Sequence, residues 1–486
     1  MRNKLLQQSS IYSLNNLFAS LAGLITFPFL TKNLSIDDYG TVALFTITTS
    51  LLTSINKLGI QQSIIRFHSD TSPETLQSSI FYPGILMILL SSMFIYFMGI
   101  ILSDFSTSVI FNEVPLLIIT LSAAFQSIRS LVNNLLIANQ FSFSYTLLSF
   151  IHRLFSLSLI IIILLYISQS PEGFIMAILI ADAIITIVAI IWCYQSNLIT
   201  KFKPTFFEKS IYVSALMFSL PLFASELFHM IHAFIDRYLI EFYISKEALG
   251  IYSASYNMAT IICGTLTGGI IVAIVPIYLK AWKEHGPAET KKILDSTVNV
   301  YLLFSPAIIC GLYLISEPLL TVLSTKEYAQ HSYLLPIIAT GILLGSSNAI
   351  FSAGLQIEKR TKRIFTFVIE SAVLNTVLNV IFIPTYGIKA AAIITVLSYF
   401  WMVLRLAMEG QKTIKIFFNY LLLIRSMLYC TVMIVLCQSI AISNPVIQLA
   451  VIAITGSIIY ITLILAFEKD IRVFALKKIK KISLLS

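Results

Sequence analysis

Six ionisable side chains interrupt long apolar runs of this sequence: Lys57, Arg129, Arg153, Asp182, Glu226 and Glu370. A charge at the centre of a membrane helix costs about 2.5–3.5 kcal/mol on insertion scales, so it is kept where it does something. Basic groups in such places offer contacts to anions, and arginine grips a phosphate through two parallel N–H donors. Lys57, Arg129 and Arg153 are therefore the candidate anion contacts. Lys57 and Arg153 stand toward the ends of their runs, where snorkelling to the surface is the alternative. Arg129 shares a helical face with Ser122, Gln126 and Asn133, as a cation facing a cavity does; a structural ion pair is the alternative. Asp182 and Glu226 have no basic neighbour in sequence, and an isolated buried carboxylate favours its protonated form. With His229 and Glu370 they are the candidate sites for coupling to a proton or sodium ion. His232 has the same choice between coupling and packing. Ser371, Asn375 and Asn379, spaced i, i+4, i+8, read as interhelical hydrogen bonds.

Four polar stripes accompany these charges. One helical face carries Ser9, Ser13, Asn16, Ser20 and Gly23; a second carries Thr46, Ser50, Thr53 and Lys57. A third gathers Glu226, His229, Asp236 and Arg237, and a fourth Ser253, Asn257, Thr260, Gly264 and Thr267. Asn16, Ser20, Ser50, Thr53, Ser253, Asn257 and Thr260 are thus expected to line a polar cavity between two halves of the molecule. Close helix packing through small residues is the competing explanation.

The elements that must hold these groups follow from composition. Of 486 residues, 57% are hydrophobic and 11% charged, with a mean hydropathy of +0.89; soluble domains carry about 25% charged residues. A soluble enzyme, a disordered chain and a nucleic-acid binder are excluded. The five cysteines lie in apolar runs without a CxxC or a Cys/His cluster, so neither a disulfide framework nor a zinc site is expected. There is no P-loop and no inward-facing DxD motif, and no cofactor is expected.

Runs of about 20 apolar residues, the length that spans a bilayer, occur fourteen times. They lie at about 9–31, 40–62, 79–102, 112–137, 146–167, 173–195, 211–235, 250–278, 299–323, 332–355, 364–384, 387–408, 416–438 and 446–467. None alternates in polarity as a barrel strand does, so the expected fold is an all-α integral membrane protein. The apolar stretch after the opening MRNK is too long for a signal peptide and lacks a cleavage site; it reads as the first span. With the N-terminus inside, 24 of the 32 basic residues fall on the inner side and five on the outer. That asymmetry places both termini in the cytoplasm of a multi-pass protein.

An internal repeat organises the spans. SIDDYG at 35–40 is echoed by SKEALG at 245–250, and GFIMA from Gly173 by GIKAA from Gly387. Spans 1–6 and 7–12 read as two parallel copies followed by two more helices. The domain reading is a first lobe at 1–195, a linker at 196–210, a second lobe at 211–409, two helices at 410–467 and a basic tail at 468–486. Parallel repeats of this kind are common in transporters, with the substrate between them.

Three stretches carry a family resemblance: LTKNLSIDDYGTVALF (30–45), IDRYLIEFYISKEALGIYSASYNMA (235–259) and PTYGIKAAAIITVLSYF (384–400). Together with the 6+6+2 layout, they resemble the polysaccharide-transporter branch of the multidrug/oligosaccharidyl-lipid/polysaccharide exporter superfamily, over essentially the whole chain. The type most similar is the O-antigen flippase (Wzx). The resemblance implies two six-helix lobes in a V, like the drug/cation antiporters. It implies movement of an undecaprenyl-pyrophosphate-linked oligosaccharide from the inner to the outer leaflet of a bacterial inner membrane. Ion-coupled alternating access would drive it, with a groove for the lipid tail at the last two helices. A polymerase and a chain-length regulator of the same pathway are the implied partners. The alternatives are a drug/cation antiporter, usually twelve spans, and a membrane-embedded glycan polymerase or ligase, which usually carries a large outer loop absent here. A peptidoglycan-precursor flippase would show arginines early in its first two spans, and this chain does not.

Overall fold

The computed structural model describes residues 20–103, 115–440, 442–469 and 472, and among these every regular element is helical. Asn16 and most of the basic tail lie outside the described residues. Helix α1 covers 20–33, α2 Ile36–Lys57, α3 Ile60–Phe67 and α4 Tyr82–Ser103. Next come α5 (Leu116–Ala138), α6 (Ser142–Tyr166), α7 (Pro171–Gln195), α8 (Lys209–Tyr243) and α9 (Lys246–Leu323). The described chain continues with α10 (Leu334–Ser346), α11 (Thr361–Gly410), α12 (Tyr420–Gln438) and α13 (Pro445–Phe467).

Ten of the described helices are long and apolar enough to cross a membrane. The difference from fourteen has physical sources. α9 and α11 run for 78 and 50 residues. At 1.5 Å per residue that is about 117 and about 75 Å, each more than twice the ~30 Å hydrocarbon core. Each is divided by one glycine with non-helical backbone, Gly286 (φ 79°, ψ −170°) and Gly387 (φ 65°, ψ −154°). α2 is rich in threonine and serine and is not among the ten, and α1 starts at the edge of the described residues. The backbone at Gly387 is open to glycine alone, at a cost of about 1–3 kcal/mol for other residues. Gly387→Ala is therefore expected to lower the melting temperature of the detergent-solubilised chain. Gly311→Ala, in helical backbone with open space at the Cβ position, should not.

Helix surfaces are sorted by solvent. On α4, Leu86, Leu89, Leu90, Met93, Phe94, Phe97 and Ile101 are exposed in a continuous stripe. On α12, Leu421, Ile424, Met427, Leu428, Val432 and Val435 repeat the pattern. Exposed faces this apolar are stable against lipid tails and not against water.

The chain forms two compact units, Met1–Ser253 with Val368–Ile388, and Ala254–Phe367 with Lys389–Ser486. In the first, α3, α4, α5 and α7 share a core of Ile60, Ile64, Ile88, Leu131, Leu135 and Cys193. The turn before α4 binds the segment after α7: Gln77 donates to the Leu198 carbonyl (2.8 Å) and accepts from Thr200 N (2.8 Å), and Ser79 Oγ accepts from Glu208 N (2.9 Å). In the second, the α12–α13 hairpin is fixed to α9 by Ser426 Oγ donating to the Leu302 carbonyl (3.0 Å) and Tyr460 OH to that of Leu303 (2.6 Å).

The repeat read from the sequence has a structural counterpart in the first unit. Ser35 caps α2 by accepting from Asp38 N (3.1 Å), and Ser245 makes the same bond to Ala248 N (3.1 Å) at the start of α9. The two capped helices cross at their glycines. A Cβ on Gly40 would collide with the Lys246 carbonyl, and one on Gly250 with the Ile36 carbonyl. Ile36 pairs with Lys246 and Gly40 with Gly250 at the offset of the two motifs, so the contact is a local two-fold.

Candidate functional site

A polar centre of the first unit is built by α5, α6 and α7. Short connections hold these helices together. Gln140 takes a left-handed conformation (φ 62°) between α5 and α6. Ser170 caps α7 and Pro171 opens it, while Gly173 lets the helix start approach the Ser168 carbonyl. Asp182, near the middle of α7, is 1% exposed. Its Oδ2 accepts from Gln126 Nε2 (2.8 Å), and its Oδ1 accepts from Arg129 and from His152 Nε2 (2.8 Å). Thr53 of α2 braces Gln126 at 3.4 Å, and Ser127 Oγ donates to the Thr53 carbonyl (3.2 Å).

Beside this centre lies a cavity of about 210 Å³ lined by Arg129, Asn133, Tyr145, Ser149, His152 and Arg153 among others. Arg129 lines this cavity and retains 18% side-chain exposure. Among the described residues no carboxylate pairs with Arg153. One carboxylate against two guanidiniums leaves the cavity wall positive, with hydroxyl, amide and imidazole groups beside the charge. Such a wall is suited to a phosphate or carboxylate ligand.

A second ion pair lies between α2 and α8, where Lys57 Nζ meets Glu226 Oε1 at 3.4 Å, with side-chain exposures of 11% and 30%. On either side along α8, Tyr238 shares a hydrogen bond with Thr48 of α2 (2.8 Å) and Ser219 with Ser63 of α3 (2.7 Å). Asp182 and Glu226 are therefore not the isolated carboxylates that their sequence neighbourhoods imply. Their cations come from helices 53 and 169 positions away, a distance that local pattern does not bridge. Glu226 keeps 30% side-chain exposure, so the carboxylate left behind is partly solvated, and Lys57→Gln is expected to cost about 1–3 kcal/mol, read as a drop in melting temperature.

The remaining sequence candidates are spread more widely. Ser20 is half-buried on α1, and Ser50 is half-buried with its hydroxyl on the Thr46 carbonyl. Ser253 is buried, whereas Asn257 and Thr260 are exposed on the part of α9 that belongs to the second unit. His229 is exposed on α8 and Glu370 half-buried on α11. His232 is buried and shares a hydrogen bond with Ser371 (2.9 Å). Asp236 and Arg237, grouped with Glu226 on the α8 stripe, are buried; Tyr252 OH donates to Asp236 (2.6 Å), and Arg237 stacks on Phe234. Asn379 donates to Asn375 (2.9 Å). His152, Tyr145 and Ser149 are not among the candidates of the sequence. A signal for His152 was there, since Ser149, His152 and Ser156 recur at i, i+3, i+7 within an apolar run. Among the described residues no three His, Cys, Asp or Glu side chains are placed to hold a metal ion. The second unit holds two apolar cavities, of about 550 Å³ between α9, α10, α11 and α12 and about 290 Å³ between α9, α12 and α13.

Comparison with known proteins agrees with this architecture. The model of the family described as "Polysaccharide biosynthesis protein" matches residues 5–282, and the MatE model matches residues 221–381. A capsular polysaccharide biosynthesis protein, CapF, of Staphylococcus aureus is 24% identical over 353 residues, 70% of this chain and 82% of that protein. A probable low-salt glycan biosynthesis flippase, Agl15, of Haloferax volcanii is 22% identical over 244 residues. That match takes in 49% of this chain and about half, 51%, of the Haloferax protein. Among solved structures, the lipid II flippase MurJ in an inward closed conformation superposes with a TM-score of 0.76 at 17% identity, covering 95% of this chain and 99% of that one. An inward-facing multidrug resistance transporter of the MATE family superposes with a TM-score of 0.67 at 13% identity, covering 82% and 94%.

Proposed function

From the premise that the chain belongs to the polysaccharide biosynthesis protein family, a branch of the multidrug/oligosaccharidyl-lipid/polysaccharide exporter superfamily, we propose that it is a flippase for a lipid-linked oligosaccharide. The observation that carries this reading is the cavity with Arg129 and Arg153 on its wall in an all-helical chain of this family. The proposed cargo is an undecaprenyl-pyrophosphate-linked repeat unit, such as an O-antigen unit. It passes from the cytoplasmic to the outer leaflet of a bacterial inner membrane, with both termini of the protein in the cytoplasm. The diphosphate contacts the arginines, and the lipid tail stays in the bilayer. A polymerase and a chain-length regulator are its proposed pathway partners. Alternating access is coupled to a proton or sodium ion through Glu226 or Asp182, with His229 and Glu370 as further candidates.

The test is the leaflet of the lipid-linked glycan in a deletion strain, read in spheroplasts with a membrane-impermeant lectin. Complete units held inside, and released outward by the cloned gene, support flipping. Units that reach the outer face unpolymerised point to a polymerase or ligase instead. Arg129→Lys, which keeps charge but loses the planar fork, is expected to lose most export; full export by this variant would rule out bidentate phosphate binding. Export by Glu226→Gln and Asp182→Asn that stays as sensitive to pH and sodium as the parent would rule out both as couplers. The MatE match at 221–381 favours one second reading, a drug/cation antiporter. It predicts drug sensitivity in the deletion strain with the glycan pathway intact.

A further inference from the structure

We infer that the cavity takes up a proton together with a doubly charged anion, and that His152 holds this proton; this rests on the flippase reading and deepens it. A diphosphate esterified at both ends, as in a lipid-linked oligosaccharide, carries two negative charges near neutral pH. Both of its acidic groups are strong acids, so it brings no exchangeable proton of its own. A proton that accompanies it must be held by the protein.

Charge balance sets when the proton binds. In the empty cavity the guanidiniums of Arg129 and Arg153 stand against the single carboxylate of Asp182, which leaves a net positive charge. A doubly charged guest turns that into a net negative charge of the same size. Uncompensated charge inside a membrane protein is unfavourable, and a single added proton makes the loaded site neutral. His152 is the group placed to hold it. Its imidazole lines the cavity with both arginines, and its Nε2 meets Asp182 Oδ1 at 2.8 Å. With Nε2–H donating there, the lone pair of the neutral ring is on Nδ1, and that nitrogen receives the proton. The imidazolium then forms an ion pair with Asp182 across the same bond. Asp182 is itself already the acceptor for Gln126, Arg129 and His152. The groups around the imidazole come from α6 and the two helices packed on it. α5 supplies Arg129, α7 supplies Asp182, and α6 adds Arg153, Tyr145 and Ser156, whose Oγ is 3.5 Å from Nε2. The loaded site binds more protons than the empty one, so by linkage anion affinity rises as pH falls through the imidazole range.

The experiment is isothermal titration of the purified full chain with sodium sulfate, in nanodiscs of neutral lipid at fixed ionic strength. Sulfate is a dianion that does not titrate near neutral pH, so every proton exchanged belongs to the protein. Repeating the titration in buffers of different ionisation enthalpy counts those protons. The parent is expected to take up protons on binding sulfate, approaching about one per anion, and to bind up to about tenfold more tightly for each pH unit of acidification through the imidazole range. His152→Gln keeps an amide that can donate to Asp182, and it should bind sulfate with no proton uptake and no pH dependence. His152→Asn takes its place if that variant does not fold. A merely structural histidine would change the affinity of these variants and leave the proton count as it is in the parent. Sulfate binding by the parent without proton uptake would overturn the inference and leave the anion site standing. Undiminished uptake in the folded variant would also overturn it, because the proton would then reside on another group. Failure of the parent to bind sulfate in a manner that Arg153→Gln weakens would overturn the anion site itself, and with it the reading on which the inference stands.

Discussion

Alanine at Gly250 is expected to cost the chain about 3 kcal/mol or more, a severe loss for overpacking. The added methyl would be driven into the Ile36 carbonyl and within 2.9 Å of the Ile36 side chain. Its counterpart, alanine at Gly40, would meet the Lys246 carbonyl. In both cases the obstacle is backbone, which cannot step aside as a flexible side chain can. The two capped helix starts would have to separate, and α2 also carries the seam with α8 through Thr48–Tyr238 and Lys57–Glu226. Gly264→Ala is the matched control on α9, because a Cβ there meets nothing within 4 Å. Thermal melts in detergent should place Gly40→Ala and Gly250→Ala well below the parent and Gly264→Ala at or above it. Equal melting of Gly250→Ala and Gly264→Ala would contradict the crossing.

Arg129→Ala is expected to lose about 3–5 kcal/mol, the usual consequence of removing one partner from a buried ion pair. Asp182 would keep Gln126 and His152 but lose the charge that offsets its own. Adding Asp182→Asn removes the uncompensated charge, so the double variant should recover most of the stability. It should not recover glycan export, because the cavity would still lack one guanidinium. Stability and transport thus part company in the cycle, which a purely structural ion pair would not produce. Export restored together with stability would assign Arg129 to the fold alone.

Much of this arrangement is legible in the sequence, and the rest is hidden for definite reasons. Membrane helices announce themselves because each must be apolar along its length, and α7 and α13 agree with the runs at 173–195 and 446–467 within two residues. α2 is harder to see, since the residues that line the seam with α8 are hydroxylated and lower its hydropathy. The motifs SIDDYG and SKEALG end in glycine for a reason that only their crossing reveals. The face of Arg129, Gln126 and Asn133 follows from helical spacing alone, and it is the face that meets Asp182 and the cavity. What spacing cannot supply is the partner. Asp182 looks solitary because its donors reside on two other helices. Glu226 looks solitary because Lys57 reaches it from α2. His152 is read as part of a lipid-soluble run until α7 is packed beside it.

Movement of a lipid-linked anion through this chain is the step on which every role proposed above turns. Purified protein should be reconstituted into liposomes containing a fluorescent lipid diphosphate oligosaccharide, under an imposed proton or sodium gradient. Access of the glycan to an external, membrane-impermeant lectin is then followed over time. Glycan protected inside is expected to become accessible with the parent chain, and the folded Arg129→Ala/Asp182→Asn double variant is expected to be inert. Access no faster with the folded parent than in protein-free liposomes, under either gradient, would contradict it.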